Sequence, residues 1–150
     1  MNGEPQQSAQ DNLQAQLIRD EGEILHAYQD SLGYWTIGVG HLIDARKSGS
    51  IPPAISRELL VLDIATKTAT LSETFPWTDA LDEVRLGVLQ NMTFQMGVRG
   101  LAEFQNMLNE LQAGNFAAAA QEGLDSDWAR TQSPARAARL MIQMETGEWQ

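Results

Sequence analysis

The sequence predicts an α+β domain that is mainly α, with a small antiparallel β-hairpin lobe near the N-terminus and a helical C-terminal lobe, the two flanking a cleft. Three observations predict it. Leu13, Leu17 and Ile18 recur at helical spacing; Tyr28 to His41 turns to aromatic and β-branched residues broken by Gly33, Gly38 and Gly40; and helical spacing returns over Leu81, Val84, Val88, Leu89, Met92 and Met96.

Taken in order, residues 1–12 read as a disordered lead, because Gly, Pro, Gln and Ser dominate without periodicity. A first helix follows from Leu13, with Leu17, Ile18, Ile24 and Leu25 as its apolar positions and Asp11 or Asn12 as its N-cap. That places Glu21 toward its C-terminal part. The Gly-punctuated hairpin comes next, and residues 44–53 form a Gly, Ser and Pro rich loop. Ser56 starts a helix that runs to about Leu71. After the turn at residues 75–79, a long helix carries the apolar residues from Leu81 to Met96 until Gly97 and Gly100 stop it. Shorter helices are expected over about 101–112, 115–123 and 134–146, with Gly114 and the Ser133-Pro134 pair as punctuation. The result is a single domain over 13–150, its small lobe at about 13–65 and its helical lobe at about 66–150.

Composition narrows the chemistry. A chain of 150 residues that is 43% hydrophobic can bury a core, and the absence of cysteine excludes both a disulfide framework and thiol catalysis. With 20 acidic against 10 basic side chains, the net charge of −10 argues against nucleic acid, whose phosphates demand a clustered positive face. The same charge opposes an anionic substrate unless a local basic patch offsets it. Residues 1–16 hold no apolar run, so neither a signal peptide nor a stable membrane association is expected. His26 and His41 lie without a ligand pattern around them, which gives no metal site, and no nucleophile elbow or phosphate loop occurs.

Two carboxylates on differently built elements can occupy different environments, one kept protonated and one ionised, and the chemistry that uses such a pair is glycoside hydrolysis. Glu21 on the helix is the candidate acid, and Asp30 on the hairpin the candidate partner that orients or deprotonates water. Thr36, six residues on, offers a hydroxyl to the same water. Each has a plainer reading alone: a solvated glutamate beside Asp20 and Glu23, a turn aspartate, a strand threonine. His41 reads as a general base or as a structural histidine paired with an acid such as Asp63, and Arg136 and Arg139 as anchors for a carboxylate or as neutralisers of a helix end.

The ordered combination resembles the phage-type lysozymes of glycoside hydrolase family 24. The resemblance runs from Leu13 to Trp149. It is carried by Asp20-Glu21-Gly22, Tyr28-Gln29-Asp30, Gly33-Tyr34-Trp35-Thr36-Ile37-Gly38-Val39-Gly40-His41-Leu42, Asn91-Met92-Thr93-Phe94-Gln95-Met96-Gly97, Pro134-Ala135-Arg136-Ala137-Ala138-Arg139 and Thr146-Gly147-Glu148-Trp149. It implies a lysozyme-like two-lobed fold with Glu21, Asp30 and Thr36 catalytic. Leu42, Phe94, Gln95 and Ser133 would bind substrate, while Arg136, His41 and Asp63 would support the site, the last two as a pair.

The implied reaction is hydrolysis of the β-1,4 bond between N-acetylmuramic acid and N-acetylglucosamine in peptidoglycan, with inversion, without a cofactor and by a monomer. The resemblance further implies synthesis in a host cytoplasm and action at the periplasmic wall after delivery by a holin or secretion machinery, with a phage tail or a secreted effector as the alternative setting. Alternatives of the same fold are a catalytically weak wall-binding module and a lytic transglycosylase. Departures from the family pattern are a shortened segment between His41 and Asp63, Leu32 where the T-even branch carries an acid, and the acidic net charge.

Overall fold

The computed structural model describes residues 9–47 and 49–150 and is mainly helical, with one three-stranded antiparallel sheet. In chain order it contains α1 (Ala9–Glu21), β1 (Ile24–Gln29), β2 (Trp35–Gly38), β3 (His41–Leu42), α2 (Pro53–Thr74), a 3-10 turn (Pro76–Ala80), α3 (Glu83–Ala102), α4 (Gln105–Gln112), α5 (Phe116–Leu124), a π-turn (Trp128–Gln132) and α6 (Pro134–Thr146). Two compact units divide at Arg57/Glu58, inside α2 and before the expected 65/66 boundary.

In the first unit α1 begins at Ala9, earlier than the expected lead of residues 1–12 allows. Ala and Gln are good helix formers, and Asp11 sits in the first turn, where its charge favours the helix N-terminus. The rest of that lead, residues 1–8, lies outside the described residues. The helix also stops sooner than Ile24 and Leu25 suggested, at Glu21, and those two residues instead open β1. Their β-branched and aromatic neighbourhood through Tyr28 suits a strand, and the sheet gives it partners. β2 is the central strand: Ile24 faces Gly38, Tyr28 faces Thr36 and Gln29 faces Trp35 on one side, while Thr36 faces Leu42 and Ile37 faces His41 on the other.

The second unit holds the core. Val88, Leu89, Met92 and Leu101 of α3, Met107, Leu108 and Leu111 of α4, and Ala137, Leu140, Met141 and Met144 of α6 are buried at helical spacings, together with Leu71 and Trp128. α5 packs against both α4 and α6, and its Ala119 and Ala120 let the helices approach closely. Gly97 interrupts the long helix, as expected from sequence, whereas Gly100 does not. Gly97 (φ +73°, ψ 166°) kinks it, a conformation open to glycine at little cost, and helical turns resume to Ala102 with Gly100 among them.

One buried polar atom in this unit lacks a partner. The Thr93 hydroxyl is fully buried in α3 and makes no hydrogen bond. An orphaned buried hydroxyl costs ~1–3 kcal/mol, and valine keeps its shape. Thr93→Val is therefore expected to stabilise the protein by about 1 kcal/mol, read as a higher urea midpoint with an unchanged slope.

Acid should do the opposite. Burial raises the Asp82 pKa, but the Arg85 guanidinium and the Arg85 and Val84 amides outweigh it and hold the carboxyl below its ordinary value. A group with a depressed folded pKa stabilises the fold above its unfolded pKa, roughly 3.9, and loses that contribution as pH falls through the folded value. The urea midpoint is expected to fall as pH drops below about 4, and to fall less steeply in Asp82→Asn.

Candidate active site

The turn between β1 and β2 brings Asp30 and Thr36 onto one carbonyl. The Asp30 amide donates to the Tyr34 carbonyl at 2.9 Å, and the Thr36 hydroxyl donates to the same oxygen at 3.3 Å. Asp30 in turn is fixed by the turn it closes: the Leu32 and Tyr34 amides both donate to its Oδ1 at 2.9 Å, and the Gly33 amide donates to its backbone carbonyl at 2.9 Å. Both side-chain bonds fall on Oδ1, so Oδ2 keeps its lone pairs for a ligand. The structural role expected of a turn aspartate is thus real, and it occupies one oxygen of two.

Thr36 is 6% exposed, held in the middle strand between Tyr28 and Leu42. Its hydroxyl donates to the Tyr34 carbonyl and retains acceptor capacity, which suits it to accept a hydrogen bond from water. Leu42, directly across the β2–β3 ladder, is half exposed and adds an apolar side chain beside it. His41 is opposite Ile37 on the same pair of strands.

Glu21 is the last residue of α1, exposed, with its helix closed by the Gly22 amide donating to the Ile18 carbonyl at 3.0 Å. The neighbouring Arg19 is occupied by Asp20, at 2.8 Å, and among the described residues of this unit none pairs with the Glu21 carboxyl.

The remaining sequence candidates belong to the second unit. The Gln95 side chain is locked from both ends: the Trp128 indole donates to its Oε1 at 3.1 Å, and its Nε2 donates to the Ser133 hydroxyl at 2.7 Å. This joins α3 to the start of α6 and orients the Gln95 amide. Phe94 and Arg136 line a cavity of about 350 Å³ with Leu60, Ile64 and Trp149, and Asp63 is exposed on α2.

Sequence reasoning missed two contributors. Tyr34 supplies the carbonyl that unites Asp30 and Thr36, and Trp128 aims Gln95. The signal for Trp128 was present, because a tryptophan that buries its ring needs an acceptor for its N–H. Among the described residues no three His, Cys, Asp or Glu gather as metal ligands, and no helix is long and apolar enough to cross a membrane.

The model of a family described as phage lysozyme matches residues 19–139. The chain is 31% identical over 163 residues to the probable T4-type lysozyme 1 of Dictyostelium discoideum, covering 91% of this chain and 95% of that protein. A second probable T4-type lysozyme of the same organism is 31% identical over 165 residues, with the same two coverages. The pre-baseplate central spike protein of Enterobacteria phage T4 is 34% identical over 156 residues, 87% of this chain but only 27% of that protein.

Proposed function

Because this chain belongs to the phage lysozyme family, which supports lysozyme function, we propose that it hydrolyses the β-1,4 bond between N-acetylmuramic acid and N-acetylglucosamine in peptidoglycan with inversion. The observation that carries the water-using mechanism is the Asp30–Tyr34–Thr36 turn. The Asp30 amide and the Thr36 hydroxyl share the Tyr34 carbonyl while the Tyr34 amide holds Asp30 Oδ1, which supports a reading in which the Asp30 carboxylate and the Thr36 hydroxyl take a nucleophilic water between them.

Glu21, protonated, gives its proton to the glycosidic oxygen as the bond to the anomeric carbon breaks. Positive charge then develops on the sugar ring. The water held by Asp30 Oδ2 and Thr36 adds to the anomeric carbon from the opposite face and passes its proton to Asp30, so the product carries the inverted configuration. Water later returns the proton to Glu21. Leu42, Phe94, Gln95 and Ser133 hold the substrate; Arg136, His41 and Asp63 support the site, and no cofactor takes part.

The reaction is tested by incubating the protein with permeabilised Gram-negative cells and weighing the released fragments. Clearing with reducing muramic acid ends supports hydrolysis. Anhydro ends would make the protein a lytic transglycosylase, and no clearing by folded protein would leave it a wall-binding module. We further propose delivery from the cytoplasm to the periplasmic wall by a holin or secretion machinery, acting as a monomer. The likeness to a phage spike protein favours a tail-borne enzyme as the second reading of delivery.

A further inference from the structure

We propose that Lys47 is a specificity-determining residue for this reaction: its ammonium group, held over the Tyr34 ring beside the turn that carries Asp30, binds a carboxylate of the wall polymer. This rests on the lysozyme reading above and extends it to a substrate contact.

Three observations converge on it. The first is position. Lys47 Nζ lies 5.6 Å from the Tyr34 ring centroid, and a methyl group placed on Gly33 would be 3.6 Å from the same nitrogen. Gly33 and Tyr34 are the residues whose amides donate to Asp30, at its carbonyl and its Oδ1 respectively. The ring and the candidate water-holding carboxylate therefore belong to one turn, and the ammonium lies against it. The aromatic face attracts the cation and restricts where its flexible stem can place it.

The second is availability. The neighbouring Arg46 is held by Asp44 at 3.2 Å and by the Ser50 hydroxyl at 3.1 Å. Among the described residues no carboxylate comes within the 4.0 Å that would make an ion pair with Lys47, and the residue is exposed. An ammonium carries three donors, and the ring face leaves them free for a ligand.

The third is the electrostatic problem set by the composition. A net charge of −10 repels a polymer rich in carboxylates. Screening limits that repulsion to about 10 Å at 0.1 M salt, so a single cation placed at the site outweighs more distant acids. Lys47 stands where such a cation is useful.

The test separates this contact from catalysis. Binding of the Glu21→Gln protein to intact sacculi, and to sacculi whose carboxylates are capped as neutral amides, is compared with and without Lys47→Ala and Lys47→Arg, while clearing by the otherwise unaltered protein is followed in parallel. Lys47→Ala is expected to weaken binding to intact sacculi about threefold at low salt, with a shallower salt dependence, and to leave capped sacculi unaffected. Lys47→Arg should stay near the parent. Equal losses on both sacculi, or no loss on intact ones, overturn the proposal. Clearing without a Lys47 effect sinks this contact alone; neither clearing nor binding sinks the lysozyme reading with it.

Discussion

Glu21→Gln is expected to slow wall clearing by at least about a hundredfold, approaching ~10⁴-fold, while leaving the fold intact. The magnitude follows from the role: the glycosidic oxygen leaves as an alcohol only if a proton arrives with bond breaking, and an amide has none of suitable acidity to give. The intact fold follows from position. Glu21 ends α1, is exposed and pairs with nothing among the described residues of its own unit, so exchanging it for a near-isosteric amide changes stability by no more than ~0.5 kcal/mol. Clearing rates of both proteins, beside superimposable thermal melts, are the measurement. Activity retained to within a few fold would remove Glu21 from the chemistry.

Arg85→Ala should have the largest effect on stability among the single changes considered, a loss of about 3 kcal/mol. The guanidinium is 13% exposed and does four things at once. It pairs with the Asp82 carboxylate at 2.9 Å, and it donates to the Met144 and Glu145 carbonyls at 2.8 and 3.0 Å, satisfying the C-terminal end of α6. It also stacks 3.6 Å from the Phe116 ring centroid. Removing it strands two carbonyls and takes the ion-pair partner from a carboxylate. Gly147 completes the arrangement: at φ +72° it ends α6 in the left-handed conformation, and a Cβ there would stand 2.8 Å from Arg85 Nη1. A thermal melt should show Tm lowered by roughly 6–12 °C, with Arg85→Lys recovering only part, since a lysine cannot reach three acceptors in a plane.

The helices whose ends were marked by strong punctuation were legible in the sequence. The Ser133-Pro134 pair opens α6, which runs over 134–146 as expected, and Gly114 separates α4 from α5. What escaped was decided by partners distant in sequence. Ile24 and Leu25 continue a helical apolar pattern and become a strand because β2 supplies a ladder for them. Gly100 looked like a terminator and instead lies in the helical turns that resume after the break at Gly97, since those turns still have a face to bury at Leu101.

The site divides in the same way. The spacing of Asp30, Gly33 and Thr36 is a hairpin signature, and the turn hydrogen bonds follow from it. The Gln95–Ser133 bond spans thirty-eight positions and the Lys47–Tyr34 contact depends on how a Gly, Ser and Pro rich loop returns to the sheet; neither leaves a local mark in the sequence.

The central claim is that a water held by Asp30 and Thr36 attacks the face opposite Glu21. The most direct measurement is proton NMR of the muramic acid reducing end in the first moments of digestion, before mutarotation. The α-anomer should appear first, because a single displacement by water inverts the β bond. A β-anomer appearing first, or an anhydro end with no anomeric hydroxyl, would contradict it.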